Sequence, residues 1–285
     1  MFKVFICILL STVFSSLISA QELFKSAESK GEIENRVINE ASGIAASINQ
    51  PDLLWTHNDS GDSARLFLIN QAGASVGQYY LQGAQNRDWE DIATGPGPID
   101  ERSYIYVGDI GDNRARYEIK TIYRIEEPTS SSAQEITTFD TIRFRYPDGK
   151  RDAESLFVDP QTKDIYILSK REDKIGVYVA RYPQSITDVI TLEKLSTIPY
   201  HNTVAADISA DGQEILLKTY SKVYYWKRNN KSINDTLNSP PVPIPYQVEP
   251  QGEAIAWLKD GSGFFTLSEK RIMVDPVLYF YARKL

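Results

Sequence analysis

Short runs of alternating apolar and polar residues fill most of the chain, and most of these runs end at Gly, Asp, Asn or Pro. KVYYWKR at residues 222–228 is one example. In such a run, alternate side chains fall on one face of a β-strand. No window keeps the 3.6-residue period of an amphipathic helix. The pattern therefore predicts an all-β protein.

The predicted strands recur in five groups. Each group begins with polar or small residues that lead into a short apolar strand, at EASGIAAS (40–47), DWEDIATG (88–95), DAESLFVD (152–159), VAADISAD (204–211) and QGEAIAWL (251–258). If Ile44, Ile92, Leu156, Ile208 and Ile255 are equivalent positions, their spacings are 48, 64, 52 and 47 residues. The blades of β-propellers repeat at a similar period of about 40–50 residues.

Two further alternating runs follow each of these strands, and a fourth follows in the first four groups. We therefore predict a β-propeller with five blades, although the long second unit leaves room for a sixth. An irregular β-sandwich or two smaller β-domains would not explain why the same polar lead-in returns five times. The fifth group stops after three strands, so we expect a strand near residues 32–38 to complete it by pairing the two chain ends. The polar stretch 229–241 is expected to be a surface loop.

The N-terminus has the features of an export signal. Lys3 precedes an apolar run at residues 4–20 that ends in small residues, which predicts a signal peptide at 1–20 and one domain at 21–285. A retained membrane anchor is the alternative, but the run is short for a span. Because Cys7 is the only cysteine, the mature chain would have neither disulfides nor thiolate metal sites. We expect a periplasmic or extracellular protein.

The chain is acidic, with 38 Asp and Glu against 31 Lys and Arg and a formal net charge of −7. This balance disfavours nucleic acid or an anionic membrane surface as a partner. It suits a cation, a small polar solute or a carbohydrate better. The sequence has no motif of a zinc peptidase or a nucleotide-binding loop. We expect a monomer that contacts no membrane after signal cleavage.

The acidic residues concentrate at one end of the predicted blades. In a propeller the first strand of each blade lines the channel and the second runs antiparallel to it, so the start of one and the end of the other open on the same face. Two positions before the five anchors lie Ser42, Glu90, Glu154, Ala206 and Glu253, and four positions before them lie Glu40, Asp88, Asp152, Val204 and Gln251. The second strands end near Asn58, Asp59, Asp62, Asp109, Asp112, Asn113, Lys170, Arg171, Lys218 and Glu269. We predict that most of these residues ring one mouth of the channel.

Like charges around one cavity repel, and their burial is costly unless they are paired, protonated or bound to a metal. We predict Ca²⁺ as the cofactor, since it takes about six to eight oxygen ligands. Its predicted ligands are Glu40, Asn58, Asp59, Asp109 and Asp112. The predicted ligand-binding residues are Asp88, Asp152, Glu253, Lys170 and Trp89, and the predicted catalytic residues are Glu90, Glu154 and His57.

Structural roles stay open for several of these residues. Aspartates beside glycine in NDSGD and GDIGDN can simply accept hydrogen bonds from backbone amides in turns. His57 can be a general base, a metal ligand or a plain hydrogen-bonded side chain. Trp89 can face a sugar ring or pack between two blades. Asp91 points away from the mouth by strand alternation, which predicts a structural role.

Several stretches resemble one group of proteins: SGIAAS…LLWTHNDSGD, DWEDIATGPG, YVGDIGDNRARY followed by IYRIEEP, DAESLFVDP and GEAIAWL. Together they look like exported bacterial β-propeller proteins of unassigned activity. More distantly, the chain is similar to the gluconolactonase-like and strictosidine-synthase-like calcium propellers. In those proteins a metal held by Glu and Asn or Asp from different blades polarises a lactone or ester carbonyl. The resemblance implies such parts for Glu40, Glu90, Glu154, Asn58 and Asp109.

Three functions are compatible with this sequence. The first is a divalent-cation site that binds a small polar ligand and, if catalytic, hydrolyses an ester or lactone with a carboxylate or His57 as base. The second is a glycoside hydrolase that uses two of Asp88, Glu90, Glu154 and Glu253. The third is a non-catalytic binding module or a cell-envelope interaction module. The fold alone does not choose among them.

Overall fold

The computed structural model of the chain describes residues 23–130 and 134–284. The predicted signal peptide lies outside these residues. Within them, 22 strands form five small sheets arranged in a ring, which is the architecture of a five-bladed β-propeller. The prediction of five blades is confirmed, and the sixth blade is not needed.

Each blade is a mostly antiparallel sheet whose first-named strand below lies at the channel. Blade 1 contains β2 (Ala41–Ala46), β3 (Leu53–Asn58), β4 (Arg65–Asn70), β5 (Ser75–Leu81) and β9 (Gln134–Ile136). Blade 2 contains β6 (Trp89–Pro96), β7 (Ser103–Asp109), β8 (Lys120–Glu126), β10 (Asp140–Arg145) and β14 (Ile190–Thr191). Blade 3 contains β11 (Ala153–Val158), β12 (Ile165–Ser169), β13 (Ile175–Ala180) and β15 (Glu193–Ile198). Blade 4 contains β16 (Thr203–Ile208), β17 (Glu214–Thr219), β18 (Val223–Lys227) and β19 (Val242–Ile244). Blade 5 contains β20 (Gly252–Trp257), β21 (Gly263–Ser268), β22 (Val277–Ala282) and β1 (Glu28–Glu32).

The N-terminal strand closes the ring, but not where the sequence analysis placed it. Strand β1 pairs antiparallel with β22, with Glu28 opposite Phe280 and Glu32 opposite Val277. It therefore ends where the predicted strand at 32–38 would begin. Ile33 and Ile38 follow the strand and are buried between blades 1 and 5. The outer strand ESKGE is mostly exposed and carries no apolar pattern by which it could be recognised.

The long second unit is explained by strand exchange between blades. After β8 the chain crosses to blade 1, where β9 adds to β5 in parallel, and then returns as β10. Later, β14 leaves blade 3 and adds to β10 in parallel. The extra residues thus extend the outer edges of existing blades.

The core lies between neighbouring blades rather than at the centre of the ring. Between blades 1 and 2, for example, Trp55 and Tyr79 belong to the same buried cluster as Ile105 and Val107. Four similar clusters fill the other interfaces of the described residues. Burial of apolar surface at these interfaces supplies the stability of a fold that has no disulfide in its described part.

The polar stretch 229–241 contains one short helix, α1 (Ile233–Leu237). Ser232 caps it by accepting a hydrogen bond from the Asp235 N–H. Ile233 and Leu237 are buried against blades 3 and 4. None of the helices in the described part of the chain is long and apolar enough to cross a membrane.

Candidate metal and ligand site at the acidic mouth

A β-bulge opens each of the five channel strands. Where β2, β6, β11, β16 and β20 pair with their second strands, one residue is left out of the ladder near the start of each pairing. These residues are Ser42, Glu90, Glu154, Val204 and Glu253. A bulge bends the strand and redirects its side chains, and bulges are frequent next to functional sites. Three of the five bulges carry a glutamate.

The bulges correct one detail of the predicted register. In blades 1, 2, 3 and 5 the anchor lies two residues after the bulge, as predicted. In blade 4 the equivalent residue is Ala206 and not Ile208, because the bulge lies at Val204. Both residues are apolar and buried, so the pattern alone did not distinguish them.

The mouth encloses a polar cavity of about 350 Å³. Its carboxylates come from four blades: Glu40, Asp59, Glu90, Glu154, Glu253 and Glu269. Its cationic side chains are Lys170, Arg171 and Arg271. Acidic groups outnumber basic groups by two to one in this lining, as the polar lead-in of the repeats predicts.

Two overlapping carboxylate clusters lie beside this cavity, and they share Glu90. One cluster contains Asp59, Asp88 and Glu90, and the other contains Glu90, Asp152 and Glu154. In each, one oxygen per residue lies within 4.8 Å of the others, which is close enough for a single metal ion. No ion is present. Gly111 packs directly on the first cluster, and a Cβ there would overlap the Glu90 carboxylate and lie 2.6 Å from Asp88 Oδ2.

Some carboxylates of the mouth already have cationic partners. Arg171 Nε lies 2.5 Å from Asp152 Oδ2, and Lys170 forms an ion pair with Glu154. Burial lowers the pKa of Lys170, but Glu154 and Glu253 outweigh it and the net pKa is raised. This lysine is therefore firmly charged.

A tyrosine that the sequence analysis missed connects two of these groups. Tyr220 follows β17 by one residue, and its hydroxyl accepts a hydrogen bond from Lys170 Nζ at 2.8 Å. The same hydroxyl donates to Glu253 Oε1 at 2.5 Å. Its position just after a second strand could have indicated it, because the sequence analysis used that position to select other residues of the mouth. Arg271, in the turn after β21, was also missed and pairs with Glu269 at 3.1 Å.

Glu90 is buried without such a partner. Its side chain is 3% exposed, and its carboxylate accepts a hydrogen bond from Ser42 Oγ at 3.3 Å. Among the described residues, no cationic side chain lies within ion-pair distance of it. Burial, followed by repulsion from Glu154 and Asp59, raises its pKa well above the usual value. In the absence of a cation, this carboxyl is forced toward its neutral form.

Burial and carboxylate repulsion also raise the pKa of two neighbouring acids. Burial raises the pKa of Asp59 to about 7, against a hydrogen bond from the Ser60 N–H that lowers it, and Asp88, Glu253 and Glu40 add repulsion. Burial also raises the pKa of Glu269 to about 8, with Glu253 adding to the effect. A divalent cation bound at the two clusters that share Glu90 would favour the charged form of all these groups.

Three predicted metal ligands are occupied by backbone groups or by cations. Asn58 Oδ1 accepts the N–H groups of residues 39 and 40, and its Nδ2 donates to the carbonyl of residue 37 and to Asp62. Asp109 accepts the N–H of residue 88 and pairs with Arg87. Asp112 accepts two backbone N–H groups and pairs with Lys120 at 2.9 Å. These side chains shape turns around the mouth and are not among the residues that line its cavity. Their assignment as metal ligands stays a prediction.

His57 and Trp89 also lie outside the cavity. His57 is fully buried, its Nδ1 donates to the Asn58 carbonyl at 3.0 Å, and burial lowers its pKa to about 4. Trp89 is fully buried as well, and its Nε1 donates to the Gln85 carbonyl at 3.0 Å. The two rings pack edge to face between blades 1 and 2, with centroids 5.6 Å apart. Neither side chain is among the residues that line the cavity. The catalytic part of His57 and the ligand contact of Trp89 stay predictions.

The structure therefore brings together Glu40, Asp59, Asp88, Glu90, Asp152, Glu154, Lys170 and Glu253. A scan against protein-family models finds no match for this chain, and a search of curated proteins finds none either. The geometry of the mouth is thus the main guide to its chemistry.

Proposed function

We propose that the acidic mouth binds a divalent cation, calcium, and that the ion holds a small polar ligand in the cavity. The observation that carries the proposal is Glu90, a buried carboxylate shared by two clusters and lacking a cationic partner among the described residues. Buried like charges are stable only if something neutralises them. Lys170 neutralises Glu154 and Arg171 neutralises Asp152. Glu90 depends on a bound cation.

The donor set favours calcium over other ions. Both clusters offer carboxylate oxygens only, with no histidine or cysteine. Hard oxygen ligands suit Ca²⁺ and Mg²⁺, while zinc and copper prefer nitrogen and sulfur. Magnesium requires a compact octahedron and keeps several waters, whereas calcium accepts many carboxylates in irregular geometry. An exported protein would also meet calcium outside the cytoplasm, and export is part of this proposal.

The rest of the cavity suits an oxygen-rich ligand. The cavity lining also offers hydrogen-bond donors, on Lys170, Arg171 and Tyr220. A ligand carbonyl or hydroxyl could complete the coordination of the ion while an anionic or polar group meets these donors. For an ester or lactone, the ion would polarise the carbonyl oxygen. With the ion bound, Asp59 would be in its charged form and could act as the general base.

A carboxylate-pair glycoside hydrolase is the second candidate. Glu90 and Glu154 have oxygens within 4.8 Å of each other, near the separation of about 5–5.5 Å in retaining enzymes. The raised pKa of Glu90 would suit a general acid. Its test is the hydrolysis of aryl glycosides: turnover that persists in EDTA and is lost in Glu90→Gln would favour this candidate over the metal site.

The experiment for the metal site is a melting curve of EDTA-treated protein with and without calcium. Calcium at about 100 times its Kd stabilises the folded state by about 2.7 kcal/mol, which corresponds to a rise of about 5–10 °C in Tm. Glu90→Gln should abolish this rise. Glu193→Gln, a matched change on an exposed outer strand, should keep it. A wild-type Tm that does not respond to calcium would refute the proposal.

A further inference from the structure

The opposite end of the channel has a second cavity, of about 370 Å³, and it differs in character from the acidic mouth. All five blades contribute to it through the ends of their channel strands. Its lining is largely apolar and includes Ile48, Pro96, Val158, Pro160 and Ile208. Ligand pockets of proteins are typically concave, mostly apolar and about 300–1,000 Å³ in volume. The cavity meets all three criteria.

The two cavities are separate sites. They share no lining residue, and buried aspartates tie the channel strands together between them. Asp91 Oδ2 accepts the N–H of Leu156 at 2.9 Å and that of Ala206 at 3.3 Å. Asp207 Oδ2 accepts the N–H of Trp257 at 2.8 Å. A ligand at one mouth therefore need not compete with a ligand at the other.

Three charged side chains line the second cavity: Glu101, Arg102 and Lys259. Glu101, the carboxylate of this lining, is exposed to solvent. Lys259 follows the channel strand of blade 5, and its Nζ reaches to the Thr94 carbonyl of blade 2 at 3.5 Å. This distance is at the limit of a hydrogen bond and marks a weak contact. Arg102, the other cationic residue of the lining, pairs with Glu126 at 2.7 Å. Among the lining residues, which all fall in the described part of the chain, Lys259 is thus the cation without a carboxylate in ion-pair distance.

A second polar group of the lining also lacks a partner. Ser103 is 7% exposed, and its hydroxyl has no hydrogen-bond partner among the described residues. Buried hydroxyl groups in native proteins are usually satisfied by protein, water or ligand. An apolar cavity with one available ammonium group and one unsatisfied hydroxyl is suited to an acceptor group attached to an apolar body.

We propose that this second cavity binds a small organic carboxylate, with its apolar part against Ile48, Val158 and Ile208 and its carboxylate at Lys259. Lys259 is the cation of this lining that lies outside an ion pair, whereas carboxylates outnumber cations by two to one at the acidic mouth. The two ends of one channel therefore select different ligands: a cation with a polar solute at one end and an amphipathic anion at the other.

Octanoate, octanamide and octylamine are suitable probes, because they share one apolar chain and differ in the charge of the head group. Calorimetry and saturation-transfer NMR on the full chain should find saturable binding of octanoate and weaker binding of octanamide. Lys259→Met keeps the length of the side chain and removes its charge. It should weaken octanoate binding by about tenfold or more while leaving octanamide unchanged.

Three controls keep the result interpretable. Lys174→Met removes an exposed lysine in the turn between β12 and β13 and should leave octanoate binding intact. Ala210→Trp adds bulk at an exposed position of the lining and should weaken all probes that bind there. Glu90→Gln should not affect octanoate, which separates this proposal from the metal site. Equal octanoate affinity in wild type and Lys259→Met, tighter binding of octylamine than of octanoate, or the absence of saturable octanoate binding would each overturn the proposal.

Discussion

Asp59→Asn should stabilise the metal-free protein at neutral and alkaline pH. Asp59 has a pKa of about 7 in the folded protein against the ordinary aspartate value of 3.8, and burial is the main cause. Between these two values the folded state holds a proton that the unfolded state has released. The protonated form of Asp59 therefore contributes to stability at low pH, and this contribution is lost as the pH rises from about 4 to about 7.

The expected size of the effect follows from the shift. A difference of about three pKa units at about 1.4 kcal/mol per unit gives at most about 4 kcal/mol. Asparagine keeps the oxygen that accepts the Ser60 N–H and has no charge to repel Asp88, Glu253 or Glu40. The variant should therefore exceed wild type by up to about 4 kcal/mol at pH 8, and by little at pH 4.

Urea denaturation followed by tryptophan fluorescence, in EDTA at pH 4 to 8, measures this difference. The quantity to compare is variant minus wild type at each pH, because other titrating groups then cancel. Asp52→Asn, in an exposed turn, is the matched control and should show no pH-dependent difference. In calcium the wild type should become the more stable protein, because Asp59 supplies a carboxylate to the ion and the variant does not. A difference between Asp59→Asn and wild type that is the same at pH 4 and pH 8 would refute the reasoning.

Three other outcomes are expected. Gly111→Ala should destabilise the protein by about 1–3 kcal/mol in urea and weaken calcium binding, because the added methyl group overlaps the Glu90 carboxylate; unchanged stability would contradict this packing. Asp91→Asn should cost about 2 kcal/mol or more in the same assay, since both carboxylate oxygens accept backbone N–H groups and an amide would turn a donor toward one of them; wild-type stability would show that these bonds contribute little. His57, whose pKa is lowered from 6.5 to about 4 by burial, should add stability that is lost as the pH falls from about 6.5 to about 4, up to about 3 kcal/mol. In NMR its ring signals should not titrate above pH 5, and a midpoint near 6.5 would place the ring in water.

The sequence predicted the ring because each blade repeats the same order of polar and apolar residues. Glu90 and Glu154 were placed at the mouth for the same reason, and both line the cavity. The closing strand β1 was misplaced because an exposed outer strand has no apolar face to detect. The exchange of β9 into blade 1 was also invisible, since strand order in space is not encoded in local alternation.

Two local features keep several of the predicted site residues out of the cavity. A bulge shifts the alternation of side chains by one residue, so the direction of Trp89 could not be counted across the bulge at Glu90. The aspartates and asparagines of the turns have the composition of metal loops, but Asn58, Asp109 and Asp112 satisfy backbone N–H groups or pair with cations. Sequence alone does not tell which oxygen of a turn is already occupied.

The central claim is that a bound cation neutralises the buried Glu90 carboxylate. Calorimetric titration of calcium into EDTA-treated protein tests this claim most directly. The account predicts saturable calcium binding by the wild type and its loss in Glu90→Gln, with Glu193→Gln binding as the wild type does. Calcium binding of equal affinity in Glu90→Gln and the wild type, or no binding by the wild type, would contradict it.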